Sequence, residues 1–530
     1  MRTRQLFKTS LLSLTVLCSI ALAIVSCANE DIAQNNTGSD NNKNFTTFVA
    51  GEPTKTRTSM DYNSGKFYWE EGDKIYVKDD DGTLQESNAV DAAHAHSESF
   101  SFMVPGKFNN SATYKVYYLG KNGSGNQVTI PAAQAQTEPN STKHLGELGD
   151  YGSAIASGTV GGGSFRFQLE HQATILVFQP YTNNDILKNC YLVGVEVSSD
   201  DDITETYTID PITGNLNGSA GGKQILLMTI DPVAGSTNEK GFPLTNTSAS
   251  IATNGAYMLI KPGIHTLRVR YWVKSYTDNI EGTITRTLSS FDYKKNTYYD
   301  MIANLNVTDY DGDHYYMWDA QDQYWKGYEW SQNLPIGVGQ PTINNNSSPN
   351  YAQSNSDSRY YNDYFPGLNM SNPATHTSCK DLPNANEMSW YAMFGDPHWD
   401  ADELWSTMKH LCKGGIWLKK KSVLQSEGNY STEKSADGTT DLRITYKDYA
   451  NNIMPFDLLS PTNISKYFYL PALGKYNVGT LDYVNMAGLY WTSSATPHLS
   501  NFAYSLYFSP GQTSVQGYSR DKGFRAEPLQ

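Results

Sequence analysis

Short runs that alternate apolar and polar residues fill the part of the chain from residue 45 to residue 308. Thr113–Tyr118 and residues 267–273 are examples, and clusters of Gly, Asn, Ser and Asp separate such runs. A period of two indicates strands with one buried face, and turn signals at these intervals are typical of antiparallel sandwiches. The pattern therefore predicts two β-sandwich domains, at 45–182 and 183–308.

Inside the first predicted domain, one motif has the pattern of a β-hairpin. Residues 66–69 and 74–77 are short apolar runs, and the acidic, glycine-containing segment 70–73 separates them. Two short runs around such a turn predict two strands that pair with each other.

After residue 308 the pattern changes, because tryptophan becomes frequent and helical spacing appears. A cap at residues 383–387 predicts a helix with Met388, Tyr391 and Met393 facing inward. Acids from residue 400 onward, followed by an apolar stripe of Leu404, Met408 and Leu411, predict a second helix. Strands are expected at 416–418, 489–494, 503–508 and 519–525. The predicted fold class is mainly β, two tandem antiparallel sandwiches followed by an α+β domain at 309–530.

The first 26 residues are typical of a secretory signal. A basic start with Arg2, Arg4 and Lys8 precedes an apolar stretch at 11–25 that is short for a membrane span. The sequence Ile-Val-Ser-Cys that ends it fits a bacterial lipobox, which predicts lipidation at Cys27; a plain signal peptide with an incidental cysteine is the alternative. Residues 27–44 are polar and aperiodic, which predicts a flexible tether.

Composition agrees with a protein that works outside the cytoplasm. The formal net charge is −14, and loss of residues 1–26 would remove three positive charges, leaving about −17. No basic patch is present to neutralise phosphates, so nucleic acid is excluded as a partner. With 37 tyrosines and only 18% charged residues, the surface is typical of secreted chains that contact carbohydrate or protein. The acidic residues 29–31 resemble a surface-export signal of some Gram-negative lipoproteins.

Three motifs in the β region, in this order behind a lipobox, resemble the fimbrillin family of Gram-negative anaerobes. They are residues 55–58, residues 65–75, and the set Phe167, Leu169, His171 and Ala173. The resemblance implies an outer-membrane lipoprotein with two transthyretin-like sandwiches that builds, tips or anchors a pilus by strand exchange with other subunits. It also implies Arg57 as a site of proteolytic maturation, since cleavage after arginine removes the first strand in such proteins; an ordinary loop arginine is the alternative.

A second resemblance covers residues 315–530. Several motifs follow the pattern of a major paralogous domain family of bacterial surface proteins. They are Tyr490-Trp491-Thr492-Ser493, the strand at 503–508, the stretch 520–528, and the set Leu382, Pro383, Ala385, Glu387 and Trp390. The resemblance implies a C-type-lectin-like fold, which suits recognition by variable loops on a rigid scaffold. The stretch 344–364, rich in Asn and Tyr, is a candidate binding loop, with a disordered surface insertion as the alternative.

The two cysteines of this domain, Cys379 and Cys412, leave three interpretations open. They could form a disulfide, stay as two unpaired buried thiols, or bind zinc together with His376 and His410, although the spacing matches no known zinc module. Cys190 is expected to be a small buried hydrophobe. Neither Glu527-Pro528 nor Trp399-Asp400 completes a calcium-lectin ligand set, so no metal and no cofactor are predicted.

The predicted function is a cell-surface lipoprotein that acts as a pilus tip or accessory adhesin and recognises an external glycan or protein. No Ser/His/Asp set, HExxH motif or phosphate loop is present, so catalysis is not expected. Residues 523–525 belong to a folded domain and are not a free donor strand, which favours the tip over the shaft. The alternative is a non-pilus lipoprotein that captures glycans for an outer-membrane uptake system. The sequence assigns no residues to ligand contact.

Overall fold

A computed structural model describes residues 2–5, 45–50, 59–64, 66–121, 123, 125–210, 212–332, 338–343 and 347–529. Strands account for 41% of the residues and helices for 7%, so the predicted mainly-β class is confirmed. No helix in the described part of the chain is long and apolar enough to cross a membrane.

The first β unit is one curled sheet around its own core. Asn88 donates its backbone N–H to Met103 O at 3.1 Å and accepts from Met103 N at 2.6 Å, which brings the two ends of the sheet together. Its core includes Phe48, Trp69 and Phe102. In pairing order its strands are Leu84–Glu86, Tyr76–Lys78, Thr113–Tyr118, Gly152–Gly158, Ser164–Phe167, Phe45–Ala50 and Ser101–Pro105, with Glu170–His171 beside Gly152–Gly158.

The second β unit packs two sheets face to face over the largest core. One sheet has the order Arg2–Gln5, Thr297–Asn304, Thr174–Tyr181, Ala256–Ile260. The other has the order Ala133–Ala135, Gln224–Met228, Tyr191–Ser199, Gly263–Ser275, Ile280–Tyr293, with Phe242–Pro243 beside Tyr191–Ser199. A small sheet of Leu216–Gly218, Glu205–Ile209 and Gln127–Ile130 and the pair Ser59–Asp61 and Lys66–Tyr68 lie next to them. Strands from before residue 182 therefore belong to this unit, so the two units interlock.

Residues 309–529 form the head, which continues the second sheet of the second β unit. Thr283 bridges to Glu403, and the sheet runs on through His398–Thr407, His410–Lys419 and Tyr467–Pro471. A separate head sheet contains Tyr315–Tyr316, Phe524–Arg525, Gly488–Ala495, Phe502–Ser509, Gln512–Ser519 and Tyr449–Asn451, with Leu473–Asn477 and Thr480–Val484 beside it. The helices of the described chain are Ile251–Asn254, Ala385–Phe394 and Lys421–Ser426, with 3₁₀ turns at Lys143–Gly146, Leu187–Asn189, Trp330–Gln332 and Ile464–Lys466.

The first predicted helix of the head is confirmed as Ala385–Phe394. Asn384 accepts from the backbone N–H of Glu387 at 3.1 Å, and Glu387 accepts from the N–H of Asn384 at 2.8 Å. This reciprocal pair satisfies two N–H groups that the helix start leaves open. Met388 and Tyr391 are buried, as the spacing predicts, and Met393 is half-buried against the head core.

The second predicted helix is wrong, because residues 398–419 form a two-stranded hairpin. Thr407 pairs with His410, and the turn residues Met408 and Lys409 have φ of 48° and 65°. A turn with two positive φ values normally carries Asn or Gly, so this one has no sequence signal. The strand His410–Lys419 is fixed by pairing on both sides, and this tertiary pairing overrides the helical spacing of Leu404 and Leu411.

The predicted hairpin at 66–77 is also wrong. Lys66–Tyr68 pairs with Ser59–Asp61, whereas Tyr76–Lys78 pairs with Leu84–Glu86 and Thr113–Tyr118. The chain does turn at residues 70–73, but the turn is held against the core of the first β unit by Asp73, which is fully buried. Its carboxylate accepts from the hydroxyl of Tyr118 at 2.9 Å and from the backbone of Glu70 at 2.6 Å.

Candidate functional site

Two of the predicted site residues, Cys27 and Arg57, lie outside the described residues. Lipidation at Cys27 and proteolysis at Arg57 therefore stay predictions from the sequence.

Both head cysteines are buried free thiols in the structure, and they lie in different hydrophobic clusters. Burial raises the pKa of each thiol to about 12, and the Cys379 sulfur accepts from the backbone N–H of Asp319 at 3.3 Å. Of the three interpretations, the structure shows two unpaired buried thiols and not a disulfide. Cys190 is likewise buried and free, as expected of a small hydrophobe.

The described residues contain no group of three or more His, Cys, Asp and Glu side chains that could hold a metal ion. His376 Nδ1 lies 2.7 Å from the carbonyl of Asp319, and the carboxylates of the two lectin-like fragments are paired with buried arginines. Asp400 Oδ1 accepts from Arg270 at 2.9 Å, and Glu527 pairs with Arg525. These carboxylates therefore already have structural partners, Glu527 within the head and Asp400 across the contact with the second β unit.

The strand Thr297–Asn304, which we call the edge strand, is paired unequally on its two sides. Along its whole length it pairs in parallel with Thr174–Tyr181. On the other side only Thr297 to Asp300 are paired, with Arg2–Gln5. No strand of the described chain pairs with the remaining residues 301–304 on that side.

An apolar cavity of about 350 Å³ opens beside this uncovered half, and we call it the edge groove. It lies between the two sheets of the second β unit. Val269, Tyr271 and Leu288 line one wall together with the polar Arg286 and Thr287, and residues 300–304 line the other. Met301 and Ala303 are buried while Ile302 is 49% exposed, which is the alternation of a strand that ends a sandwich. A sheet edge beside an apolar slot can accept an extended segment of another chain.

The base of the edge strand is held by polar contacts. Asp300 is buried and accepts from the hydroxyl of Tyr62 at 2.8 Å and from Gln179 Nε2 at 3.0 Å. Gln179 lies in the neighbouring strand and Tyr62 packs against the core of the same β unit, so these bonds fix the edge strand within the second β unit and give the groove a defined shape.

Buried charges join the head to the second β unit. Besides the Arg270–Asp400 pair, Arg268 donates to Ser198 Oγ at 3.2 Å and to the carbonyl of Leu459. Glu403 accepts from the hydroxyl of Thr285 at 2.6 Å and from its backbone N–H at 3.1 Å. Burial, and then the charge of Asp400, raise the pKa of Glu403 to about 7. The joint is therefore a specific and polar interface.

The predicted binding loop 344–364 is mostly built into the head where the structure describes it. Tyr351, Tyr360 and Tyr361 pack against the head core, and Arg359 is buried with bonds to Asp357 and the carbonyl of Asn350. Exposed apolar side chains start at the end of this stretch, in residues 364–370, which we call the apolar loop. The sequence reasoning missed it, although Tyr-Phe-Pro-Gly-Leu-Asn-Met joins a turn signal to apolar residues.

No protein-family model and no curated protein sequence matches this chain. Among solved structures it is similar to a fimbrial protein from Bacteroides ovatus, at 12% identity and a TM-score of 0.23, over 91% of this chain and 99% of the other. A candidate cell adhesion protein from the same species is 12% identical, with a TM-score of 0.30, over 49% of this chain and 92% of the other. The fimbrial anchor protein of Porphyromonas gingivalis is 10% identical, with a TM-score of 0.21, over 47% and 82%. Likeness at these scores shows no function, so the function is argued from the residues of this chain.

Proposed function

We propose that this chain is a cell-surface lipoprotein of the fimbrillin type that joins a pilus through the edge strand and presents the head as an adhesin. The observation that carries the proposal is the edge groove, together with the identity of the segment that partly covers it. Arg2–Gln5 belongs to the predicted signal peptide, so cleavage before Cys27 would remove it.

After such cleavage the edge strand would be open over its eight residues, from Thr297 to Asn304. Open edges expose backbone N–H and C=O groups that a strand from another chain can pair. A donor strand would also cover part of Leu288, which is half-buried, and of Ile302, which is 49% exposed, whereas Val269 and Tyr271 are already buried. Burial of apolar area at about 25 cal/mol per Å² then favours assembly.

The last strand of the head is already paired inside its own domain. Phe524–Arg525 pairs with Tyr315–Tyr316 and touches Gly488–Ala495, and the Arg525 side chain is buried. This segment is therefore not available as a donor strand. We propose a tip or accessory position in the pilus, an outer-membrane anchor through Cys27, and a C-type-lectin-like head that recognises an external ligand.

The test replaces Ile302 by Glu in the full chain and measures the amount of protein in fibres sheared from producing cells. A charge at a sheet edge opposes strand addition, so we expect about a tenfold or greater loss from the fibres. Ile264→Glu is the matched control, because Ile264 is 66% exposed on another strand of the same unit.

Whole-cell antibody binding should be equal for both variants, which shows that export is intact. Equal amounts of the Ile302→Glu and Ile264→Glu variants in the sheared fibres would contradict the proposal that the chain joins the pilus through the edge strand. Mass spectrometry of the same material tests the two sites predicted from the sequence. Acyl chains on Cys27 are expected, and an N-terminal peptide that continues through Arg57 in every copy would exclude cleavage there.

A further inference from the structure

Four large apolar side chains are exposed together at one place on the head. Tyr364 is 63% exposed, Leu368 67% and Met370 51%, all within the apolar loop. Leu499, which is 41% exposed, lies in the neighbouring loop, where Asn369 N donates to the carbonyl of Pro497 at 2.8 Å. Single exposed apolar residues are ordinary, whereas a cluster of this kind marks an interaction surface.

The apolar loop is held in shape from beneath. Arg520 is fully buried, and its Nη1 donates to the carbonyls of Asn362 at 2.9 Å and Tyr364 at 3.1 Å. Asn372 Nδ2 donates to the same Tyr364 carbonyl at 2.8 Å. Gly367, with φ of 142°, supplies the bend that a side chain would strain. A surface that is already ordered loses little conformational entropy when it binds.

The apolar loop lies at the end of the head that points away from the β units. At the near end, Ser509 and Pro510 share one cavity with Ile280 of the second β unit. The hairpin of Gly488–Ala495 and Phe502–Ser509 runs from there to the loop that carries Leu499. Eight residues of strand span about 26 Å, so the apolar loop is well separated from the joint.

The chemistry of the apolar loop and Leu499 favours a protein as the ligand. Residues 360–379 contain no Lys or Arg, and neither do residues 496–501. Anionic lipid headgroups and other anions therefore find no cation here. Leu368, Met370 and Leu499 have no polar atoms to meet the hydroxyls of a sugar, whereas Tyr and Met are enriched in the cores of protein interfaces.

We propose that the apolar loop, with Leu499, is a protein-recognition tip that inserts Leu368 and Met370 into an apolar pocket on an external protein. The proposal rests on the proposed adhesin function and makes its ligand a protein. Asp363, the one acidic residue among 360–370, places a negative charge at the base of the loop and favours a pocket with a basic rim.

The experiment compares the full chain with the double variant Leu368→Ser/Met370→Ser on an array of purified extracellular proteins. We expect at least one array protein to bind the unchanged chain and to bind the variant about a hundredfold more weakly, because buried apolar anchors dominate interfaces. The matched control is Ile212→Ser/Val233→Ser, which removes two residues of 86% and 63% exposure from the second β unit. It should bind like the unchanged chain.

Three parallel measurements use the same variants: a glycan array, vesicles of phosphatidylcholine, and sedimentation to detect self-association. Loop-dependent binding to glycans or vesicles, or loop-dependent dimerisation, would overturn the proposal. An array on which no protein distinguishes the loop variant from its control would also overturn it.

The amount of the loop variant in sheared fibres separates this proposal from the assembly proposal. Normal incorporation with lost protein binding supports both. Normal incorporation with unchanged binding overturns only the recognition tip.

Discussion

The edge strand and the apolar loop both expose apolar side chains, but their backbones differ. On one side of residues 301–304, no strand of the described chain pairs with the edge strand, and an apolar slot lies beside it. The backbone of the apolar loop is bonded to Arg520 and Asn372 beneath it, and mainly side chains face outward. The first arrangement can accept extended segments of many sequences, because the hydrogen bonds would be made by backbone N–H and C=O groups. The second can discriminate, since it presents a fixed side-chain shape.

Under the function proposed above, this contrast separates assembly from recognition within one chain. A pilus subunit has to accept a strand from a neighbour, whatever its head binds. An adhesive head gains from a surface that is shaped before contact. Between the two, the buried charges at the joint fix where the head lies relative to the edge strand.

The largest expected effect comes from removing the support of the apolar loop. Arg520→Ala removes a buried donor from the carbonyls of Asn362, Tyr364 and Phe502 and removes the stack on Trp318, 4.4 Å away. The Tyr364 carbonyl keeps Asn372 as a donor and the Phe502 carbonyl keeps Thr496. We expect hydrogen exchange to show opening of residues 362–372 made easier by about 3 kcal/mol. Lys522→Ala, a partly exposed neighbour, should change it by less than about 0.5 kcal/mol. If exchange at the edge strand rose equally, the two regions would not be independent.

A smaller effect, and one that depends on pH, is expected at the joint. The pKa of Glu403 is raised to about 7 in the folded protein, so the carboxyl favours folding when it is protonated. Its contribution is complete below pH 4.5 and is lost as the pH rises through 7. Relative to Glu403→Gln, the unchanged chain should therefore lose at most about 3 kcal/mol between pH 4 and 8, and less than that because the Glu403 side chain keeps some exposure to solvent.

Thermal unfolding of both proteins across that pH range measures the difference, with Glu281→Gln as an exposed control. A pH profile of Glu403→Gln parallel to that of the unchanged chain would contradict the shifted pKa. A loss of stability confined to the head would show that the joint does not influence the edge strand.

The smallest effect concerns the base of the edge strand. Tyr62→Phe removes one of two hydrogen bonds to Asp300 while Gln179 keeps the other. We expect about 1 kcal/mol less protection from hydrogen exchange at residues 297–304 and no change in the apolar loop. Tyr276→Phe, which loses only a long bond at the surface, is the control. A loss of 3 kcal/mol or more would mean that the groove, like the loop, depends on a single buried support.

Sequence reasoning succeeded where local signals agree with the fold. The capping residues Asn384 and Glu387 predict the helix Ala385–Phe394, and period-two alternation predicts the β-rich class. It failed at the hairpin of residues 398–419, because the turn residues Met408 and Lys409 have no turn signal and Leu404 and Leu411 also fit a helix. For Cys379 and Cys412, spacing alone left three interpretations, and only their separate clusters distinguish them.

By itself the sequence determined the class of the fold, the signal-like N-terminus and the acidic net charge, because these follow from composition and local periodicity. The tertiary structure decided which strands pair, that Asp400 and Glu403 join the head to a sandwich, and that the edge strand has an open side. It also placed the exposed apolar residues at 364–370 and not in the tyrosine-rich stretch before them. The reason is physical: pairing and burial are made between residues more than a hundred positions apart, and a local pattern carries no information about its partner.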